Sequence, residues 1–510
     1  MTHDAPRTCF RAGSVLWTGT LFMKFVFQYS GKCWQLAVWL LAASWPVWAQ
    51  QDTADRLWQG VEQRSRQQVA PEPLGEDAQT SLYDPALAAL LQTPHQRIQQ
   101  LTLAILNAVN QRDWFGADRL LRQYVQVPQH DPSLEMFVMS SRMAAGGDYE
   151  GAIAGYQAVL QANPQFVRGE LDMARVLYAD HRLRDAQEVF DRLHSQPLPP
   201  SVIQHIDEYL KALKQRRQPR FSLSVSAVRE DNVNGASTVV DPCALVFLGV
   251  CLPNTPGQKR AASGVYVEAT LNKLWPLAGN HGLMLRSINY GNHYRHESDF
   301  DNLVSTNYLG YQYASARQQW QVLPLFEYDR EGGRKIYHAF GVRASFTRQL
   351  NERAQVEASY EFKARHFSPQ FSENLQGHLQ SFSLFGTYAF KPDLAAYGSL
   401  SWRESDARLP IFAYREKVAR LGIYKAFGNQ VTVNAAYGYR QKQAEADNAV
   451  FGRRQRDHEG SIYLNLALPG YQWQGFTPTA SYEYRDNRSS IPHAYSHQKN
   501  RLTLGVRKDF

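Results

Sequence analysis

The chain has 510 residues, room for two or more domains, and its 55 Lys and Arg against 47 Asp and Glu leave a net charge of +8. The two signs are interspersed rather than massed into a patch, so nucleic acid is not an expected partner. No segment beyond residue 49 approaches ~18 uninterrupted apolar residues, which excludes helical membrane spans there; a membrane β-barrel stays open, because its strands need apolar residues only at alternate positions.

Residues 1–49 read as an export signal, most cleanly if Met23 is the true start. From there "MKFVFQYSGK" is a short basic n-region and "CWQLAVWLLAASWPVWA" an apolar h-region, with Val47-Trp48-Ala49 before Gln50 as a small-residue cleavage site. A membrane anchor is the competing reading, disfavoured by the short apolar run, and Lys32 makes Cys33 a poor lipoprotein acceptor. Cleavage removes Cys9 and Cys33 and leaves Cys243 and Cys251, which in an exported chain suggest one local disulfide. A redox or metal pair is the alternative, with neither a C-x-x-C spacing nor nearby His ligands to support it. Residues 50–81, rich in Gln, Pro, Asp and Glu, read as a disordered linker.

Over 82–217 the apolar period is helical. In "GDYEGAIAGYQAVLQANP" (147–164) Ala152, Ile153, Tyr156, Val159 and Leu160 line one face, and Asn163-Pro164 ends the helix. Ala186 follows Ala152 by 34 residues and Phe190 follows Tyr156 by 34, the tetratricopeptide period. The small Ala lets paired helices approach, and the aromatic fills the gap beside it. A weaker copy, "RDWFGADRLLRQYV" (112–125), has one residue inserted. A plain helical hairpin is the bland alternative; the expectation is two to three stacked repeats with a concave groove suited to an extended peptide.

"KQRRQPR" (214–220) closes the helical half, and the period then drops from 3.6 to 2. In "FSLSVSAV" Phe221, Leu223, Val225 and Ala227 alternate with Ser222, Ser224 and Ser226. Over 218–510 this pattern predicts fourteen antiparallel strands, from 220–229 through 430–441 and 457–468 to 499–510. They would close an outer-membrane β-barrel, apolar residues outward and polar residues inward. The odd connections read as mostly long, among them "KQAEADNAVFGRRQR" (442–456), and the even ones as short, such as "PLAG" (276–279) and "KPD" (391–393). Long outside and short periplasmic is the outer-membrane pattern, although a soluble all-β array such as a propeller is the competing reading. In "RLTLGVRKDF" (501–510), Leu502, Leu504, Val506 and Phe510 share the outward face. A strand ending in an aromatic suits addition to an existing sheet edge by the barrel assembly machinery, and Lys508 can snorkel at the membrane interface.

Tetratricopeptide-like repeats ahead of fourteen strands, with "EDNVNGAS" (230–237), "FGRRQRD" (451–457), "GFTPTASYEYRDNRSSIP" (475–492) and the terminal "RLTLGVRKDF", make the chain resemble the surface lipoprotein assembly modulators (Slam) over about 82–510. The resemblance implies an outer-membrane translocon, its N-terminal domain in the periplasm, that moves particular lipoproteins or related secreted proteins to the cell surface or exterior. Clients in this family often carry a small β-barrel handle and include binders of transferrin, haemoglobin or haem. Further partners so implied are the barrel assembly machinery, periplasmic chaperones and outer-membrane lipid. No cofactor and no catalytic group is implied, so an enzyme is not expected.

His493 and His497 stand four apart in a predicted loop without Asp or Cys partners, so no metal site is expected there. Asp231 to Asn234 reads as a turn completed by Gly235 rather than as a calcium loop. The run Arg453, Arg454 to Asp457 is a solvated loop on composition, whereas the resemblance pulls it toward the lumen. Arg485, Arg501 and Arg507 fall on the inward faces of the last two strands, where they would pair with acids such as Glu483 or attract acidic client segments. The first strand (Phe221, Leu223, Val225) and the last are the one neighbouring pair far apart in sequence, and strand one's small residues make that seam the candidate exit, the lumen being the other route. A polysaccharide exporter of similar layout would carry a longer helical half, and a nutrient porin would leave the helical domain without purpose.

Overall fold

The computed structural model describes residues 94–247, 250–369 and 373–510. The expected signal peptide (1–49), the expected linker (50–81) and the first dozen residues of the expected helical domain lie outside the described residues.

Among the described residues seven helices precede the barrel: α1 (Pro94–Asn110), α2 (Trp114–Tyr124), α3 (Ser133–Ala145), α4 (Tyr149–Ala162), α5 (Val167–Ala179), α6 (Leu183–His194) and α7 (Pro200–Arg217). They form antiparallel hairpins α1/α2, α3/α4 and α5/α6, and each hairpin turns through one left-handed residue: Arg112 (φ 54°), Gly147 (φ 77°) and His181 (φ 62°). The repeat is thus written in the backbone, although only one of the three positions is glycine. Asp113 and Asp148 then cap the second helices, accepting from the N–H of Gly116 at 2.8 Å and of Gly151 at 3.0 Å. A Cβ on either glycine would sit within 2.4 Å of the capping carboxylate, which is why a small residue follows the cap by three.

Ala152, Tyr156, Ala186 and Phe190 are all buried, in one continuous cluster running from Leu101 to Leu213. The Tyr156 hydroxyl meets Ser141 Oγ at 3.0 Å on the preceding helix, and Phe190 stacks on Tyr209 of α7 with centroids 4.8 Å apart. Each such aromatic, fully buried, contributes on the order of 1.5–3 kcal/mol. Between hairpins, Asp131 accepts from the Ser133 N–H at 2.8 Å and from Asn163 at 3.2 Å; burial works against its charge, yet these bonds hold its carboxyl below the ordinary range.

The barrel follows. Its fourteen staves are β1 (Arg220–Glu230), β4 (Ala262–Pro276), β5 (His281–Tyr294), β6 (Asn302–Ala314), β7 (Gln318–Glu331), β8 (Arg334–Asn351), β9 (Ala354–Phe367), β10 (Gly377–Lys391), β11 (Leu394–Ser405), β12 (Tyr414–Phe427), β13 (Val431–Asn448), β14 (Arg453–Ala467), β15 (Thr477–Ser489) and β16 (His497–Asp509). Every neighbouring pair is antiparallel and β1 closes on β16, so no lipid-facing edge is left unpaired. A small hairpin, β2 (Leu245–Phe247) with β3 (Val250–Leu252), rides on the first connection, and a short α8 (Pro492–Tyr495) on the last.

The outward face is a band of Leu309, Leu384, Leu400, Leu421, Ile462 and Leu504 between two aromatic rings. Trp275, Trp320, Phe390, Phe427 and Phe510 mark the rim where β1 begins; Phe340, Tyr360, Phe382, Trp402 and Tyr482 mark the far rim. Two connections differ from expectation. The fifth is only Gly332-Gly333, both with positive φ, and the stretch 442–456 is mostly strand, because β13 continues to Asn448 and β14 starts at Arg453. Beyond the lipid a ladder needs no apolar face, so the hairpin continues where the period-2 signal has stopped.

Candidate functional site at the barrel seam

β1 and β16 pair from Ser222↔Asp509 to Glu230↔Arg501, nine residue pairs, whereas the other thirteen ladders each hold at least eleven. Along this shortest ladder β1 turns Ser222, Ser224 and Ser226 inward and Phe221, Leu223 and Val225 outward, in line with Leu502, Leu504 and Val506 of β16. Its rim end is closed by Phe510, whose N–H reaches the Phe221 carbonyl at 2.8 Å while the two rings lie 5.5 Å apart.

The far end is held by charge. Glu230, only 1% exposed, accepts from Arg501 at 2.5 Å, pairs with Lys499, and receives the Tyr294 hydroxyl at 2.5 Å. Arg501 also donates to Asn292 at 2.7 Å and lies over the Tyr266 ring. One residue on, Asp231 accepts from both the backbone and side-chain nitrogens of Asn500, each at 2.7 Å, and Asn232 donates to the Gln498 carbonyl at 3.0 Å. The turn expected over 231–235 is present: the Asn232 side chain bonds Ala236 N and O, and Gly235 takes φ 55°. The adjoining loops meet as well, Ser237 Oγ donating to the Pro492 carbonyl at 2.7 Å and Asp241 lying 3.4 Å from His493. In α8, burial and the nearby Asp457 push the Tyr495 phenol up to about 12. The first connection is itself stapled by the Cys243–Cys251 disulfide.

Elsewhere around the lumen, inward charges pair within and across strands. Lys363 bridges Glu327 (2.9 Å) and Glu361 (3.0 Å), Glu416 sits between Arg403 (3.0 Å) and Arg440 (3.4 Å), and Arg440 continues to Glu459 (2.9 Å). Removing one member of such a buried pair costs about 3–5 kcal/mol, because the other charge is stranded.

Of the five arginines singled out by sequence, Arg485 pairs with Glu483 at 2.5 Å, Arg501 with Glu230, and Arg507 with Ser222 at 3.1 Å and Asp509 at 2.9 Å. Arg453 and Arg454 stand apart from them at the outer start of β14. Arg454 shares the parity of the outward Ile462 and Leu464 and pairs with Asp447 at 3.2 Å, so it does not line the lumen, whereas Asp457 at the end of the run is buried on the same parity as the inward Glu459. Arg453 is exposed and donates to the Ser490 carbonyl at 3.4 Å. Glu230 was legible only as part of the motif at 230–237, and Lys499 and Asn500 carried no signal beyond lying in the last expected strand, because nothing local shows that the two ends of the barrel sequence meet.

Residues 220–510 match the family described as surface lipoprotein assembly modifier, and residues 88–190 match its N-terminal TPR repeats. A hemophilin secretion modulator of Acinetobacter baumannii is 26% identical over 433 residues, covering 81% of this chain and 86% of that protein. Surface lipoprotein assembly modifier 1 of Haemophilus influenzae is 23% identical, covering 80% and 84%, and surface lipoprotein assembly modifier 2 of Neisseria meningitidis 24%, covering 76% and 81%. With a lipid-facing fourteen-stranded barrel preceded by tetratricopeptide repeats, the chain is an outer-membrane protein and belongs to the surface lipoprotein assembly modifier family.

Proposed function

We propose that this protein is a translocon that takes specific lipoproteins, or related small secreted proteins with a β-barrel handle, from the periplasm to the cell surface. The observation that carries the reading is the joint between repeats and barrel. Asp180, at the end of α5, accepts from Asn280 Nδ2 at 3.0 Å and from the Ala316 N–H at 3.1 Å, and Asp185 of α6 accepts from the Gly279 N–H at 3.2 Å. Arg317 donates to the Gly146 carbonyl at 3.0 Å. The repeats are thereby fixed to the short turns after β4 and β6, on the rim from which β1 departs. Tetratricopeptide repeats and a barrel so joined give one client path, with capture on the repeats preceding passage along the barrel.

In this reading the work is binding, shielding and handover rather than covalent chemistry. The barrel assembly machinery and periplasmic chaperones are proposed partners for, respectively, insertion of this chain and delivery of its client. The names of the relatives, which speak of lipoprotein assembly and of hemophilin secretion, support the same class of cargo. The test is co-expression of a lipoprotein or small secreted β-protein encoded beside this one, with and without it, followed by protease shaving of intact cells. Exposure only in its presence is the expected result; equal exposure in both overturns the reading.

A further inference from the structure

The ladder that closes the barrel holds itself together unlike the others. It is the shortest, β1 presents serines to its inner side, and Gly505 faces Ser226 with no side chain at all; a Cβ there would lie 2.2 Å from the Ser226 hydroxyl. Between its ends the seam is thus joined by backbone bonds, with Ser224, Ser226 and Gly505 on the inner side and Val225, Leu504 and Val506 turned outward to lipid. Holding contacts gather at the two ends: the Phe221 and Phe510 rings at the rim where β1 begins, and at the other end the buried Glu230 with Lys499, Arg501 and Tyr294, followed by Asp231 with Asn500 and Asn232 with Gln498.

We infer that β1 and β16 part during export, and that Glu230 with Lys499 and Arg501 is the latch that keeps them together at rest. The inference rests on the translocon reading. A ladder opens from an end, one pair at a time, so side-chain bonds at an end set the barrier to the whole seam. The first and last connections part with it, since Ser237 to Pro492 and Asp241 to His493 bridge the same gap. An opened seam bares the N–H and C=O groups of both edges, which is costly in lipid unless another strand takes them up. The occupant that fits is an extended client segment able to add as a β-strand by main-chain bonding.

The latch is tested without any client, on the full chain in vesicles of phosphatidylethanolamine and phosphatidylglycerol, by hydrogen exchange of the β1 and β16 amides. Glu230→Gln is expected to speed exchange over 222–228 and 502–508 by about 10-fold or more while β9 to β11 stay unchanged. Lys499→Gln, which leaves Arg501 on Glu230, is expected to give a smaller acceleration and serves if Glu230→Gln fails to assemble. No acceleration at the seam, or equal acceleration of every ladder, overturns the latch.

Opening is tested by a cross-link. Val228 and Thr503 face each other two pairs inside the latch. The bonds Phe510 N to Phe221 O and Asp231 N to Asn500 O make theirs a non-hydrogen-bonded pair, with Cα atoms about 4.5 Å apart, within disulfide reach. Oxidised Val228→Cys/Thr503→Cys is expected to stop surface exposure of the co-expressed neighbour-encoded lipoprotein, reductant to restore it, and the control Ser383→Cys/Ser401→Cys across β10 and β11 to export normally. Export through the oxidised seam overturns the opening and leaves the translocon reading standing. Exposure independent of the wild-type protein overturns that reading instead.

Discussion

Phe510 donates its backbone N–H to the Phe221 carbonyl at 2.8 Å, so the last residue of the barrel sequence extends its closing ladder by one bond while its ring packs on that of the first stave. Lys508 Nζ lies 5.0 Å from the Phe510 ring and 4.9 Å from that of Phe476, which places its charge at the aromatic rim rather than in lipid. Phe510→Ala keeps the hydrogen bond and removes the ring pair, worth about 1 kcal/mol beyond its area. The expected outcome is a smaller fraction in the folded, heat-modifiable band on gel electrophoresis. Phe221→Ala should act alike, and the double variant should lose less than the two singles added together.

Ala152 and Ala186 are fully buried where paired helices touch. Ala186→Leu adds a branched side chain to a filled site and is expected to destabilise the repeats by about 1–3 kcal/mol. Tyr156→Phe should cost about 1 kcal/mol, because it removes the buried 3.0 Å bond to Ser141, whose hydroxyl keeps only the Phe137 carbonyl. Hydrogen exchange of the α3 to α6 amides in the full-length protein measures both, and the barrel amides should not respond.

The joint between repeats and barrel turns on Asp180. Asp180→Ala strands the Ala316 N–H and removes the carboxylate from Asn280 Nδ2, which keeps the Ala314 carbonyl at 2.9 Å, and with Asp185→Ala the Gly279 N–H is stranded too. The double variant is expected to widen the distance distribution between spin labels on α4 and on β10, read by pulsed electron resonance, while the heat-modifiable band stays unchanged. A client path that needs a fixed repeat domain would fall in yield with it.

Reduction of Cys243–Cys251 frees a loop whose closure contributes about 2–3 kcal/mol of local order. Cys251→Ser, or reductant, is expected to expose 239–253 to protease severalfold faster, with no change in barrel assembly, because every stave ladder lies outside that segment.

Much of this architecture is local and so could be read along the chain. The 34-residue spacing of Ala152 and Ala186, the period of 2 from Phe221 onward and the isolated cysteine pair each depend on neighbours within one element, and lipid enforces alternation on every stave it touches. Where lipid stops, the signal stops too, and 442–456 reads as loop although β13 and β14 run through most of it. The inward face carries no such constraint, since the lumen accepts any polar side chain, and its pairings are set by stagger and closure. That Arg501 meets Glu230 and that Asn500 meets Asp231 was decided only when β16 came round to β1 and fixed the register of residues some 270 positions apart.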